Sequence, residues 1–311
     1  MNYFSSEFKL GILGGGQLGK MLLTETRKFD ITTLVLDPSN EAPAQFGANK
    51  FFTGSLMDYE TVYQFGKMCH AITIEIENVN LDALDTLEEE GHIVFPSPKT
   101  LRLIQNKGKQ KDFYVDNNIP TSKYQRFVDL NDLKKSLEND ELEFPFVWKC
   151  AQFGYDGNGV KICRSTMDLM HLPEVECIAE ETVPFKNELA VIVARNTNGD
   201  VKTYPVVEME FHPEANQVEY VICPARIDEK VAQLAIETAL QVSQAFNHVG
   251  LLAVEMFQTE SDDILVNEVA PRPHNSGHHT IEASYTSQFE NHLRSVLNLP
   301  LGNTDSKVAG I

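Results

Sequence analysis

The sequence is short of basic residues. Its 311 residues contain 26 lysines and arginines against 45 aspartates and glutamates, which gives a net charge of −19 at pH 7. A surface that binds nucleic acid or an anionic membrane needs clustered Lys and Arg, so the balance argues against both kinds of partner. A small phosphorylated ligand remains compatible with it, because one local basic pocket is enough to bind such a ligand.

Cysteine motifs and long apolar runs are also missing. The five cysteines are widely spaced and form no CxxC pair, which argues against a zinc site or a disulfide framework and favours a reducing compartment. The first ten residues, MNYFSSEFKL, lack the segments of a signal peptide, and no stretch approaches the roughly 20 apolar residues of a membrane span. We therefore expect a cytoplasmic protein of two or three domains.

The first hundred residues alternate between predicted strands and helices. Such alternation predicts a parallel sheet covered by helices. The predicted strands are 8–13, 32–36, 71–74 and 92–95, and the predicted helices are 16–27, 58–68 and 81–90.

Strands follow one another in the rest of the chain, which predicts antiparallel sheets. The predicted strands are 123–128, 146–150, 177–181, 188–194, 202–207, 218–223, 249–257 and 264–269. The predicted helices are 100–117, 228–246 and 289–297.

A glycine-rich turn joins the first strand to the first helix. Gly14, Gly16 and Gly19 match GxGxxG, and Asp37 ends the second strand where a ribose partner of a dinucleotide would lie. The pattern is weak, because any close strand-to-helix turn favours glycine. A role in packing or in binding a substrate phosphate is favoured over a nicotinamide site, which stays open as an alternative.

A second glycine loop follows a strand that ends near Lys149. Gly154, Gly157 and Gly159 would let backbone N–H groups approach phosphate oxygens, and Lys149 adds a compact positive charge. No GK[ST] follows, so the loop is not a Walker motif. Taken alone, the pattern fits a flexible hairpin equally well.

The predicted hairpin near residue 260 carries paired acids. If Ser261 and Asp262 form a two-residue turn, Glu255 faces Glu268 directly across the strands, with side chains about 5 Å apart. Like charges in such a pair repel, and a magnesium ion between them would reverse the repulsion. Asn267 could add an oxygen ligand, although strand alternation would point it to the other face. Two exposed surface glutamates are the alternative.

The segment after the hairpin, APRPHNSGHHT at 270–280, gathers anion-binding side chains. Arginine can hold a carboxylate or phosphate through two hydrogen bonds, and histidine can donate to an oxyanion or move a proton. A polar surface loop and a zinc site are the alternatives. The side chains concerned are Arg272, His274, Asn275, Ser276, His278 and His279.

These motifs together resemble a known family. The GYDGNG loop after Lys149, the Glu180–Val183 run EETV, Glu188 and the Glu255/Glu268 pair resemble the ATP-grasp superfamily. The runs GILGGGQLGKM, ITIEIENV and NEVAPRPHNSGHHT are similar to the N5-carboxyaminoimidazole ribonucleotide synthetases within it. The resemblance implies an α/β and α+β fold: an N-terminal Rossmann-like parallel-sheet domain (1–98) followed by an ATP-grasp domain (99–300), whose small and large subdomains span about 118–185 and 186–300.

The resemblance also implies a role for individual residues. Magnesium would be held by Glu255 and Glu268, and the residues at the reacting groups would be Arg272, His274, Asp156 and Glu75. ATP would be bound by Arg102, Lys149, Gly154, Tyr155, Asp156, Gly157, Asn158, Gly159, Glu181, Thr182, Val183, Pro184, Glu188, His212, Asn267 and Glu268. The ribonucleotide and bicarbonate would meet Tyr155, Asp156, Arg272, His274, Asn275 and Ser276.

The implied reaction is the ATP-dependent carboxylation of aminoimidazole ribonucleotide by bicarbonate in purine biosynthesis, through carboxyphosphate. Mg²⁺, or Mn²⁺ in its place, would be the metal, and a homodimer is expected from the family. The family continues into a small β-rich lobe, which we expect to be missing after 301–311. The alternatives are a formate- or biotin-using ATP-grasp enzyme, a non-catalytic nucleotide-binding regulator and a nicotinamide oxidoreductase.

Overall fold

A computed structural model of the chain describes Tyr3 and residues 5–152, 159–211 and 218–311. Three sheets organise these residues: one parallel and two antiparallel. The predicted fold class is confirmed. Among the described residues, no helix combines the length and the apolar composition that crossing a membrane requires.

The first sheet is parallel and runs in the order β3-β2-β1-β4-β5. Its strands are β1 (Lys9–Leu13), β2 (Thr32–Asp37), β3 (Lys50–Thr53), β4 (Ala71–Ile74) and β5 (Ile93–Val94). The helices that cover it are α1 (Gln17–Lys28), α2 (Tyr59–Gly66) and α3 (Leu81–Glu89). The central strands are almost entirely buried, as expected for a sheet covered on both faces. Strand β3 was not predicted, because it lies at the sheet edge and is partly exposed.

The single helix predicted over 100–117 is wrong. The structure has two helices here, α4 (Pro98–Ile104) and α5 (Lys107–Asp116). Asn106 separates them: its side chain accepts a hydrogen bond from the Lys109 N–H and so caps the start of α5. The new start places Lys107 in the first turn of α5.

The second sheet is antiparallel, in the order β6-β9-β7-β8. Its strands are β6 (Tyr124–Phe127), β7 (Phe146–Cys150), β8 (Val160–Cys163) and β9 (Cys177–Glu181). Helix α6 (Leu130–Glu138) packs on the face that contains Phe146 and Trp148. Lys149 directly follows Trp148 and points to the opposite face, because side chains alternate along a strand.

The third sheet is the largest and runs in the order β13-β12-β10-β14-β15, with β11 beside β10. Its strands are β10 (Phe185–Arg195), β11 (Val201–Thr203), β12 (Val207–Phe211), β13 (Val218–Ile222), β14 (Gly250–Thr259) and β15 (Ile264–Ala270). Helix α7 (Glu229–Phe246) packs against β10, β14 and β15. The predicted strand 202–207 is instead the end of β11 and the start of β12. Pro205 lies in the interruption, and proline has no backbone N–H for a ladder.

The helix that follows the third sheet joins it to the first. After the short helix α8 (Thr280–Ala283), α9 (Gln288–Val296) packs against both α1 and β14. Its residues Phe289 and Leu293 share one apolar core with Leu18 and Leu22 of α1. The N-terminal sheet and the third sheet are therefore held together by a helix from the far end of the chain.

A buried histidine of α9 links the two sheets by hydrogen bonds. His292 is 0% exposed. The backbone N–H of Leu251 donates to His292 Nδ1 (3.2 Å), and His292 Nε2 lies 2.8 Å from Thr73 Oγ1. Because Nδ1 accepts, the neutral ring carries its hydrogen on Nε2 and donates it to Thr73. The link therefore requires an uncharged imidazole.

We expect acid to destabilise the protein partly through His292. Burial lowers the pKa of His292 to about 3, against about 6.5 in the unfolded chain. Because the folded pKa is depressed, the unfolded chain binds more protons below pH 6.5, and the free energy of unfolding falls by ~1.4 kcal/mol per pH unit down to about pH 3. The variant H292F lacks this contribution. In urea unfolding, the difference in the free energy of unfolding between wild type and H292F should decrease by ~2 kcal/mol from pH 7 to pH 5. A difference that does not change with pH would contradict a neutral His292 that links the two sheets.

Candidate active site

The two acids of the hairpin face each other as predicted. Glu255 of β14 pairs with Glu268 of β15 in the strand register. The predicted two-residue turn is wrong, however. The backbone N–H of Thr259 donates to the Asp263 carbonyl (2.9 Å), and Asp262 has a left-handed φ of 67°. The turn is therefore a three-residue loop, a common hairpin connection with a left-handed residue.

A β-bulge restores the pairing that the longer turn would have shifted. Met256 pairs with Val266, whereas its neighbour Glu255 pairs with Glu268, so Asn267 is an extra residue in β15. Strict alternation no longer applies at Asn267. Its Oδ1 accepts a hydrogen bond from Lys149 Nζ (2.9 Å), on the side where Glu268 also lies close to lysine ammonium groups. The bulge thus brings Asn267 and Glu268 to one site.

The facing acids carry different charges because their neighbours differ. Burial raises the pKa of Glu255, and the nearby Glu268 and Glu188 raise it further. Lys107 donates a hydrogen bond to Glu268 and lowers the pKa of that carboxyl. One ionised and one protonated carboxyl group relieve the repulsion of the pair. A cation between them would relieve it with both groups ionised.

Glu188 belongs to the same acidic cluster. It lies two residues before Ala190, which pairs with Glu255, so Glu188 and Glu255 share one face of the third sheet. Burial raises the pKa of Glu188 to about 7, with a further contribution from Glu268. The predicted Lys149, Glu188, Glu255, Asn267 and Glu268 are therefore all brought together.

Lys149 reaches this cluster from the second sheet. Its ammonium group lies 3.1 Å from Glu180 Oε1, on β9, and donates to Asn267 on β15. Burial opposes ionisation of Glu180, but Lys149 and Lys111 outweigh it and hold the pKa of Glu180 at about 2. Lys111 Nζ lies 3.1 Å from Glu180 Oε2. Two lysines therefore share one buried carboxylate.

The loop after β15 connects the acids to the first sheet. His274 Nε2 lies 3.3 Å from Glu255 Oε1, and His274 Nδ1 lies 2.9 Å from Ser276 Oγ. Burial, together with Arg272, lowers the pKa of His274 to about 3, so its ring is neutral. Arg272 Nε lies 2.9 Å from Glu77 Oε1. Asn275 begins a short 3-10 turn that ends at Gly277.

The first glycine loop is filled by acidic side chains of the protein itself. The Gly15 N–H donates to Asp37 Oδ2 (2.7 Å), and the Gly16 N–H donates to Glu75 Oε2 (3.2 Å). A Cβ at Gly16 would lie 2.5 Å from a Glu75 carboxylate oxygen. These glycines therefore allow the close approach of Glu75, and two carboxylates lie where a dinucleotide pyrophosphate would bind. The nicotinamide alternative is not supported.

Glu75 lies at the border between the first sheet and the loop after β15. Burial raises its pKa, while the Gly16 N–H and the charge of Arg272 lower it. The structure thus places the predicted Glu75 and Arg272 close enough for their charges to interact.

Arg102 is a predicted site residue that the structure does not bring to the acidic cluster. Its guanidinium group pairs with Asp82 (3.4 Å) and Asp85 of α3, on the exposed side of α4. The basic residue that reaches the acidic cluster from this part of the chain is Lys107, through Glu268. Arg102 was predicted from the resemblance alone. Because α4 ends before Asn106 and α5 begins at Lys107, it is Lys107 that contacts the cluster.

The remaining predicted nucleotide residues divide into two groups. Glu181 ends β9, and its carboxylate accepts a hydrogen bond from the Lys123 N–H (3.0 Å); Thr182, Val183 and Pro184 follow before β10 begins. Gly159, with a left-handed φ of 78°, precedes β8. The other predicted residues lie outside the described ones: Gly154, Tyr155, Asp156, Gly157, Asn158 and His212.

Sequence reasoning missed Lys107, Lys111, Glu180 and Glu77 as site residues. Lys107 and Lys111 are four residues apart on α5, so they share one helix face. That spacing was a usable signal, but a helix face rich in lysine normally points to solvent.

The donor set suits a magnesium ion that also binds phosphate. Within residues 5–152, 159–211 and 218–311, no group of three or more His, Cys, Asp or Glu side chains is arranged to hold a metal ion. The zinc alternative for the loop at 270–280 therefore lacks support. Magnesium, in contrast, commonly uses one or two protein carboxylates and takes its other ligands from phosphates and water. The facing, partly buried Glu255 and Glu268 fit that pattern.

Comparisons with known proteins agree with this arrangement. A family model described as the ATP-grasp domain matches residues 112–289. A second, described as the ribonucleotide synthetase preATP-grasp domain, matches residues 8–105.

Individual relatives match almost the whole chain. The N5-carboxyaminoimidazole ribonucleotide synthase of Bacillus subtilis is 38% identical over 95% of this chain and 78% of its own length. The chloroplastic phosphoribosylaminoimidazole carboxylase of Vigna aconitifolia is 39% identical over 97% of this chain, which spans only 54% of that longer protein.

A solved structure gives the same result. The N5-carboxyaminoimidazole synthase of Aspergillus clavatus, in complex with ADP and 5-aminoimidazole ribonucleotide, matches with a TM-score of 0.87 and 34% identity. The match covers 97% of this chain and 80% of that one. From its matched domains and relatives, the chain belongs to the N5-carboxyaminoimidazole ribonucleotide synthase family of ATP-grasp proteins.

Proposed function

We propose that this chain carboxylates 5-aminoimidazole ribonucleotide with bicarbonate at the expense of ATP, releasing ADP and phosphate. The observation that carries the proposal is the facing, partly buried Glu255–Glu268 pair beside Lys149, next to the loop that bears Arg272 and His274. Family membership supports it, and so does the Aspergillus relative, whose complex holds ADP and 5-aminoimidazole ribonucleotide.

The lysines and acids would hold the triphosphate. Lys107, in place of the predicted Arg102, pairs with Glu268, and Lys149 donates to the adjacent Asn267, so both ammonium groups would meet the phosphates. Glu255 and Glu268 would hold Mg²⁺, or Mn²⁺, with Asn267 beside them; the ion supplies charge neutralisation on the phosphates. Glu188 would bind ribose hydroxyls, and residues 181–184 would contact adenine. The glycines and side chains at 154–158, with Gly159 and His212, complete the proposed nucleotide site.

The first chemical step would join bicarbonate to the γ-phosphate. A bicarbonate oxygen attacks the γ-phosphorus, the bond to the β-phosphate oxygen breaks, and carboxyphosphate and ADP result. Arg272 would stabilise the anion because a guanidinium group can hold carbonate or phosphate oxygens bidentately. Its pairing with Glu77 (2.9 Å) already fixes its orientation.

The second step would transfer the carboxyl group to the exocyclic amine. The amine nitrogen attacks the carboxyl carbon, phosphate leaves, and the amine loses a proton. Tyr155, Asp156, Asn275 and Ser276 would hold the ribonucleotide, and Asp156 and His274 are the two candidates for the proton acceptor. Glu75 would border the bicarbonate, since its carboxyl group lies within the electrostatic reach of Arg272.

We also propose a cytoplasmic location and a homodimer. All five cysteines are free thiols, which suits a reducing compartment. The dimer rests on family resemblance. Light scattering after size exclusion should give twice the chain mass of 35.0 kDa, and a monomer at all concentrations would contradict it.

The proposed reaction predicts a specific substrate requirement. ADP release should require bicarbonate, because the step that forms ADP consumes it, and should rise further when 5-aminoimidazole ribonucleotide is present to accept the carboxyl group. The measurement is ADP release in a coupled assay, with formate or biotin replacing bicarbonate as controls. Stimulation by formate or biotin would favour a sibling ATP-grasp enzyme, and ATP binding without any stimulated turnover would favour a non-catalytic regulator.

Removing one acid of the pair should abolish turnover. In E268Q the side chain keeps its size but loses the charge, so we expect the rate of ADP release to fall by about 100-fold or more. Such a fall corresponds to the loss of several kcal/mol of charge stabilisation in the transition state. The matched control is E260Q, an exposed glutamate in the turn of the same hairpin. Circular dichroism would establish that both variants fold, and near-normal turnover in E268Q would disprove the metal assignment.

A further inference from the structure

Lys111 is a buried cation that no step of the proposed mechanism uses. It lies one helical turn after Lys107 on α5 and is 2% exposed. Its ammonium group donates to Thr121 Oγ1 (2.7 Å) and Ser122 Oγ (2.9 Å), and lies 3.1 Å from Glu180 Oε2. An ammonium group has three N–H donors, so all of them are engaged. Lys111 therefore acts on its surroundings and has no donor left for a ligand.

Glu180 connects Lys111 to Lys149. One carboxylate oxygen faces Lys111, and the other lies 3.1 Å from Lys149 Nζ. The Ser122 hydroxyl donates to Glu180 Oε2 (2.8 Å) and fixes the carboxylate between the two lysines. All of these groups are buried, so solvent screens their interactions weakly. A change of charge at Lys111 therefore changes the electrostatic potential at the Lys149 ammonium group.

The charges of Lys111, Glu180 and Lys149 together decide how strongly Lys149 can attract an anion. Lys149 and Glu180 alone would neutralise each other and leave little positive charge for a polyphosphate. Lys111 adds one positive charge on the far side of Glu180. The three groups then carry a net charge of about +1, and Lys149 is the member of the three that contacts Asn267 beside the acidic pair.

We propose that Lys111 is a positioning residue for the nucleotide: it neutralises Glu180 from behind, so that the charge of Lys149 remains available to the phosphates of ATP. The inference rests on the proposed function, because it assumes that Lys149 meets ATP. Filling the space alone would not require these charges, since a buried ion pair gives no more stability than apolar groups of similar volume.

Binding is measured by isothermal titration calorimetry rather than by tryptophan fluorescence, because Trp148, the single tryptophan of the sequence, packs on the face of the second sheet opposite Lys149. The experiment titrates wild type and K111M with ATP and, separately, with adenosine. We expect K111M to bind ATP at least about tenfold more weakly, while adenosine affinity stays within about twofold, because adenosine has no phosphates. K109M, an exposed lysine on the same helix, is the matched control and should bind both ligands like wild type.

A second variant tests the route through Glu180. In K111M/E180Q both buried charges are removed, so Lys149 is no longer neutralised and ATP affinity should return to within about threefold of wild type. K111R, which keeps the charge, should retain more ATP affinity than K111M. If K111M does not fold, the double variant decides alone: ATP affinity within threefold of wild type supports the proposal, and a loss of tenfold or more overturns it.

Three further outcomes would overturn the proposal. Unchanged ATP affinity in folded K111M would show that Lys149 does not depend on Lys111. An equal loss for ATP and adenosine would indicate general damage to the site, and a double variant as weak as K111M would exclude Glu180 as the connection. Failure of the wild type to bind ATP would disprove the proposed function itself and is distinguishable, because it precedes any comparison of variants.

Discussion

The repulsion between Glu255 and Glu268 is the constraint around which the rest of the site is arranged. Two partly buried carboxyl groups that face each other on neighbouring strands repel strongly when both are ionised unless a cation lies nearby. The protein supplies ammonium groups from two other elements, Lys107 from α5 and Lys149 from β7. The positions of α5 and of the second sheet against the third sheet are therefore tied to one electrostatic requirement. A cluster that needs cations in this way is suited to bind a metal ion together with phosphates.

The pairing of these acids was predictable from sequence, although two local features behind it were not. The three-residue turn and the bulge at Asn267 shift the register in opposite senses, so the predicted partner of Glu255 was correct. A bulge leaves no clear mark in a single sequence, because its position depends on what the strand must contact across the sheet. In this case the extra residue lets Asn267 reach Lys149, which strict alternation would have prevented.

The fold class and most strands followed from local patterns, whereas the lysines of α5 did not. Lys107 and Lys111 lie on a buried face, where patterns of apolar residues give no signal, and only tertiary contacts with Glu268 and Glu180 explain their burial. The break at Asn106 had a capping residue that could have been recognised. The first glycine loop shows the opposite case: its pattern matched a nucleotide motif, and only the neighbouring strand revealed that Glu75 fills the space.

The position of α9 has a consequence for motion within the protein. Because this helix inserts Phe289 and Leu293 into the core of the first sheet and hydrogen-bonds through His292 to both sheets, a displacement of the first sheet against the third would have to break that core and those hydrogen bonds. The second sheet meets the third through polar contacts such as the hydrogen bond from Lys149 to Asn267, which break and re-form more readily than a packed core. The acidic pair and the arginine–histidine loop lie on the third-sheet side of that contact, so a movement of the second sheet would change their distance from Lys149 and leave their own arrangement intact.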